Sequence, residues 1–277
     1  MTRRALFRLL PLGVMVLLAV LAALGPWLAP VDPLKVSLME SYLPPAFVDG
    51  GVPGHLLGTD SLGRDIFSRV VFGAQTTLRV SASAILLGGA VGTLAGIVAG
   101  YAGGVVDTII MRLADATLAF PVIFIGLLLA ITVGASPMTV ITAISLILWA
   151  RFARVARGEV LALRNRDYVT LARMGGCSWQ RIIRRHLLPN IANTLLVVAS
   201  LQMGLVIIIE SSLSFLGAGV PPPSPTWGAM VADGRSEIMG AWWISFFPGV
   251  AILVTVLAAN LFGDWLRDVL DPKLRQI

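Results

Sequence analysis

The sequence predicts an all-α, polytopic membrane protein with six transmembrane helices. Three observations predict it. The chain has 277 residues, 57% of them hydrophobic, and a mean hydropathy of +0.87. Soluble domains carry roughly 45–50% apolar residues, so this chain has more apolar surface than water tolerates. The apolar residues gather into runs of about 20, the length a helix needs to cross the hydrocarbon core. The basic residues, nearly all arginine with only Lys35 and Lys273 as lysines, gather at the ends of those runs, which is the signature of membrane topology.

Arg3, Arg4 and Arg8 precede an apolar run from Leu9 to Ala29. The run is long for a cleavable signal peptide and no convincing A-x-A site follows it, so we read it as the first span, with its N-terminus inside. Residues from Pro30 to Arg79 form an outer region, dense in proline and glycine between Pro44 and Gly58 and therefore loop. Beyond it, Leu62, Ile66, Phe67, Val70 and Val71 share one helical face, and Arg64, Asp65, Ser68 and Arg69 share the other. This pattern predicts a helix lying flat on the outer interface with a solvated charged face.

The second span, Val80 to Tyr101, carries Gly88, Gly92, Gly96 and Gly100. Glycine at every fourth position lets a neighbouring backbone approach closely, the main route to helix packing in lipid. A short inner loop with Asp107 and Arg112 leads to a third span at about Asp115–Val133, kinked at its start by Pro121. A tight turn at Gly134–Pro137 begins the fourth span, Met138 to about Ala156. It ends among Arg151, Arg154 and Arg157, whose side chains can snorkel to the inner interface.

The fifth span, Ile191 to about Leu216, contains Gln202 and Glu210. A carboxylate at the centre of a span costs about 2.5–3.5 kcal/mol on insertion scales. Glu210 therefore lines a translocation path with Gln202, pairs structurally, or sits near the outer head groups; the sequence leaves these open. Prolines from Pro221 to Pro225 impose a rigid outer loop, and Trp242, Trp243 and Phe246 open the sixth span as an aromatic belt. That span runs to about Leu266, before an amphipathic inner tail. On this topology sixteen basic residues lie inside and five outside, as the positive-inside rule demands. We divide the chain into residues 1–79, an N-terminal helix and extracytoplasmic loop with the interfacial helix, and residues 80–277, a five-helix core with a cytoplasmic loop at 157–190.

That loop is the one long polar segment within the hydrophobic body. The stretch from Ala150 to Asn190 holds nine arginines. Asp167 to Met174 suits a short helix with its acidic residue at the positive end of the dipole, ended by Gly175 and Gly176. Trp179, Ile182, Ile183, His186 and Leu187 then fall on one face of a second helix, Arg181, Arg184 and Arg185 on another. Ser178 is placed to cap it and Pro189 to stop it. Spacing alone fits equally well an interfacial loop that anchors to acidic lipid head groups.

The order of residues goes further. The segment resembles the EAA loop of ABC-importer permeases, E-A-A-x3-G-x9-I-x-L-P. Thr170, Leu171 and Ala172 hold the first three places, Gly176 the glycine, and His186, Leu188 and Pro189 the end. Thr170, Leu171 and His186 depart from the pattern. The forms DYVxxAR…GxxxxxRIIxRHxLPN, LGTDxxGRDxxSR and ESSLSFLGAG resemble the dipeptide/oligopeptide/nickel branch of that family, so the resemblance extends from about Leu57 to Arg275.

This resemblance implies the ABC type I importer permease fold and a multi-pass protein of the bacterial inner membrane with both termini cytoplasmic. It implies the partners of such a permease: a second permease subunit, in a heterodimer, one or two ABC ATPase subunits, and an extracytoplasmic solute-binding protein. ATP would be bound by the partner ATPases, with no cofactor on this chain, and the loop residues Thr170, Leu171, Ala172, Gly175, Gly176, His186, Leu188 and Pro189 would form the coupling helix and its flanks. Peptides are the substrate class it favours, with nickel chelates, opines and sugars open.

The remaining residues exclude other chemistries. No glycine-lysine pair exists, so the chain has no P-loop. His55 and His186 are the only histidines and Cys177 the only cysteine, too few for a zinc-binding pattern. No G-x-S-x-G elbow occurs, and no basic patch is interleaved with aromatics for nucleic acid. The chain is therefore not expected to be an enzyme. The alternative from another class is an ion-gradient-driven transporter or channel with Glu210 as its coupling site, for which no internal repeat is evident.

Overall fold

The computed structural model describes residues 3–270, and these are mostly helical, with no strand beyond one bridge between Thr59 and Asp65. Helix α1 (Arg3–Leu28) packs against α2 (Ile66–Ala102) and α10 (Trp243–Leu270). Between α2 and α10 come α3 (Gly104–Ala119), α4 (Val122–Val133), α5 (Pro137–Leu163), α6 (Asp167–Met174), α7 (Trp179–Ile182), a π-turn (Ile183–Leu187), α8 (Leu188–Phe215) and α9 (Trp227–Asp233). Of the basic residues that set the termini inside, Lys273, Arg275 and the side chains of Arg3, Arg4 and Arg8 lie outside the described residues.

By length and composition four helices can cross a membrane: α2, α5, α10 and the run Trp179–Phe215, in which α7, the π-turn and α8 are continuous. The pair α3 and α4 makes a fifth if its two arms, bent by 85°, count as one span. The apolar stretch of α1, Leu12–Gly25, is shorter. The described residues thus supply four or five such spans against the six expected.

The core is built on the glycine ridge. The most extensive helix contact joins α2 to α5. A Cβ added at Gly88, Gly92, Gly96 or Gly100 would lie 2.7 to 2.9 Å from Leu148, Phe152, Ala156 and Val160 in turn. Ser145 also donates to the Ala84 carbonyl across this seam, at 3.1 Å. Val80, Ala84, Ile144, Leu148 and Phe152 join Val206 and Leu213 of α8 in the largest apolar cluster.

Several boundaries differ from the sequence expectation. The helix predicted to lie flat outside is the first part of α2, which runs unbroken through residue 79. Asp65 caps it by accepting the Ser68 amide at 2.7 Å, and no proline interrupts the chain from there to Ala102. Its charged face is not solvated: Asp65, Ser68 and Arg69 are buried. The inner loop with Asp107 and Arg112 is helix α3. The break comes later, at Phe120, which is extended before Pro121 because a residue preceding proline is driven from the helical region. Helix α5 continues past Ala156 to Leu163. Pro189 does not stop its helix. The preceding turn widens so that the Leu188 amide reaches back to the Ile183 carbonyl; such π-turns admit an extra residue and here bring the proline into the first turn of α8.

Candidate functional site

The loop predicted to couple is a bracket with one side fastened and the other free. Arg166 precedes α6, whose C-terminus is closed by Gly175 and Gly176. Gly176 takes φ +76°, the left-handed conformation that ends helices, while Gly175 stays at −74°. The Cys177 amide returns to the Ala172 carbonyl at 3.1 Å and completes the corner. The Ser178 side chain makes no capping bond, so the corner, rather than that serine, sets where α7 begins.

Val169 of α6, Ile182 of α7 and Leu187 of the π-turn are buried together with Ile97, Val160 and Ile191. This cluster fastens the corner to α2, α5 and α8. Trp179, expected on the same packed face, is instead 57% exposed: a four-residue helix beginning at Trp179 presents its first residue outward while Ile182, three further on, takes the contact. Leu171 and Met174 are exposed beside it, as are Thr170, Gly175 and Gly176. His186 is half-buried and its ring lies 6.1 Å from that of Tyr168. Leu188 and Pro189 are exposed. The structure therefore collects Thr170, Leu171, Gly175 and Gly176 at the exposed corner and leaves His186, Leu188 and Pro189 along the arm that leads back into α8.

Two ion pairs brace this end of the bundle. Arg157 of α5 holds Asp107 of α3 through its Nε and Nη2, the latter at 2.6 Å. Arg154 reaches Asp115 at 2.7 Å with both side chains exposed. Arg164 donates to the Gly100 carbonyl at 2.9 Å and ties the end of α5 to that of α2.

The other predicted residues sit in α8. Gln202 is half-buried, and its Oε1 accepts from Arg151 at 3.3 Å. Glu210, two turns on, is 0% exposed. Its Oε1 accepts from Ser214 at 2.8 Å, and the hydroxyls of Thr77 and Ser211 also lie against the carboxylate. Gln202 and Glu210 do not meet; one faces α5 and the other is enclosed where α8 packs on α2. The hydroxyl residues around Glu210 were missed from sequence. Their signal was the four-residue spacing of Glu210 and Ser214, which puts the pair on one helix face.

A second polar cluster that sequence reading did not foresee joins the 29–65 segment to α9. Asp60, buried, accepts from Arg64 Nε at 2.7 Å and Arg69 Nη1 at 2.8 Å. His55 pairs with Asp65 at 3.0 Å. Two indoles clamp the same region: Trp227 donates to the Val70 carbonyl at 2.8 Å and Trp243 to that of Thr59 at 3.0 Å. No group of three or more metal-ligating side chains occurs among the described residues.

A family model described as the binding-protein-dependent transport system inner membrane component matches residues 92–276. A putative peptide transport system permease protein of Brucella suis is 42% identical over 263 residues, covering 95% of this chain and 86% of that protein. The dipeptide transport system permease protein DppC of Bacillus subtilis is 40% identical over 266 residues, covering 96% and 81%. The probable D,D-dipeptide transport system permease protein DdpC of Escherichia coli is 39% identical, covering 94% and 85%. Among solved structures, a chain of the inward-facing MetNI methionine ABC transporter superposes with a TM-score of 0.61 at 15% identity, over 73% of this chain and 96% of that one. That likeness is one of fold.

Proposed function

Because the chain belongs to the family of binding-protein-dependent transport system inner membrane components, we propose that it is one permease subunit of an ATP-driven importer of short peptides. A second permease subunit completes the translocation path, ATPase subunits bind at the α6–α7 corner, and a solute-binding protein delivers peptide on the opposite side. The substrate class rests on the peptide and dipeptide permeases named above.

The observation that carries the reading is the bracket. Its inner side is locked into the junction of α2, α5 and α8, and its outer side presents Leu171, Met174 and Trp179 to a partner. A push on that exposed apolar surface reaches three spans at once through packed side chains, which transmit displacement because close-packed interiors yield little. Exposed apolar clusters of this kind mark protein contacts. Gly176 sharpens the corner, Ala172 keeps it low, and Pro189 sets how the arm enters α8. Gln202 and Glu210 are assigned to the path region, Glu210 as a group that a change in α2–α8 packing would uncover.

The test is Gly176→Asp in the reconstituted importer. A Cβ at Gly176 would meet nothing within 4 Å, so the new side chain clashes with none of the chain's own atoms; the strain of any side chain at φ +76° is matched by the control Gly176→Asn, which tolerates that conformation and adds no charge. The variant is expected to insert and assemble but to lose transport while its ATPase activity no longer responds to loaded binding protein. Normal substrate-stimulated transport by the variant would overturn the assignment of the corner.

A further inference from the structure

The pocket between the 29–65 segment and α9 has a use that structure and charge define. Its volume is about 360 Å³, with apolar walls from Val220, Pro222, Pro223 and Ala229 and with Arg64, Arg69 and Asp233 among its lining residues. Two carboxylates face the two guanidinium groups, and they are held very differently. Asp60 is 2% exposed, receives Arg64 Nε and Arg69 Nη1 at 2.7 and 2.8 Å, and accepts the Leu62 and Arg64 amides at 2.9 and 3.0 Å. It is fully committed. Asp233 reaches Arg64 Nη2 and Arg69 Nη2 only at 3.6 and 3.5 Å, and its side chain is 44% exposed. Ordinary charge-assisted pairs lie at about 2.7–2.9 Å. Arg69 is itself 4% exposed, and its Nε has no acceptor.

A buried arginine with an idle donor, beside a second arginine and a loosely held carboxylate, describes a carboxylate site with a stand-in. We propose that this pocket is a subsite for the C-terminal carboxylate of a short peptide, and that Asp233 occupies the place of that carboxylate until a ligand displaces it. This deepens the peptide-import reading and rests on it. Planar guanidinium forks match carboxylates in two-point contact. With Asp233 swung out, two positive groups face Asp60 alone, and one ligand carboxylate restores neutrality. The volume exceeds what a carboxylate fills, and the proline and valine wall suits the side chain next to it; ligand sites of this size combine apolar walls with a few fixed polar groups. An uncharged peptide end leaves the arginines uncompensated.

The experiment compares dialanine with its C-terminal amide on the full chain, purified with its partner subunits in lipid nanodiscs, by equilibrium dialysis of the labelled compounds. The acid is expected to bind more tightly than the amide. Asp233→Asn removes the competitor and is expected to tighten acid binding about tenfold without tightening the amide. Arg64→Gln is expected to abolish the preference and Arg64→Lys to retain part of it. Failure of the wild type to bind the acid, equal binding of acid and amide, or an unchanged ratio in Asp233→Asn each overturns the subsite, and the last holds even where Arg64→Gln folds poorly. Transport of both compounds at equal rates sinks the subsite and leaves peptide import standing, whereas absence of any peptide transport sinks the import reading itself.

Discussion

Gly92→Ala is the most direct probe of what holds this bundle together. The added Cβ would overlap the Trp149 carbonyl and stand 2.8 Å from the Phe152 Cβ. Carbon atoms in contact prefer about 3.5–4.0 Å, so α2 and α5 must part by roughly 0.7–1.2 Å there. The strain cannot stay local. Gly88 and Gly96, one turn to either side, would meet Leu148 and Ala156 at 2.7 and 2.8 Å, so the helices are at closest approach over three turns. A gap of that width forfeits a quarter to a half of each contact it opens, and overpacking of this kind costs about 1–3 kcal/mol. The control is Gly158→Ala, in α5 and exposed, where a Cβ meets nothing within 4 Å. It is expected to be neutral or to stabilise by up to about 1 kcal/mol. Unfolding in mixed micelles, followed by tryptophan fluorescence, compares the two. Equal stability of the two variants would refute the claim that the glycine ridge sets the helix separation.

Three further outcomes are expected. Glu210→Gln keeps the shape and the acceptor for Ser214 and should stay within about 1 kcal/mol of the wild type, whereas Glu210→Ala strands that hydroxyl and should lose about 1–3 kcal/mol; thermal unfolding of the purified chain distinguishes them, and equal losses would show that charge rather than shape matters there. A double-mutant cycle with Asp107→Asn and Arg157→Gln should give a coupling of about 0.5–1 kcal/mol after screening, and strict additivity would remove the brace between α3 and α5. Cys177, the single cysteine, should react with a membrane-impermeant maleimide in inside-out vesicles and not in right-side-out ones; the reverse pattern would put the α6–α7 corner on the wrong side of the membrane.

Much of this was legible without coordinates. The four-residue spacing from Gly88 to Gly100 announced a packing ridge, and the ridge faces α5. The glycine pair at Gly175 and Gly176 announced a corner, and Gly176 takes the left-handed conformation that makes one. The proline-rich stretch before Trp227 is irregular, as its prolines require. Each of these signals is local: a missing side chain or a fixed φ constrains the backbone wherever it stands. Element boundaries read less well. A charged face from Arg64 to Arg69 has the same sequence pattern whether water or Asp60 answers it. Pro189 ends a helix on local grounds, unless a π-turn admits it.

The sequence by itself determined a helical membrane protein, the position of the α6–α7 corner and the glycine seam, since hydrophobic length, glycine spacing and turn chemistry act over a few residues. Only the tertiary structure decided which charges are buried and with whom. Asp60 and Arg69 are neighbours by nine residues, but Asp233 joins Arg69 across 164. Thr77 of α2 meets the Glu210 carboxylate only where α8 packs on that helix and seals it from solvent. The cost of burying a charge is settled by its partners, and partners that lie on different helices meet only when the bundle closes.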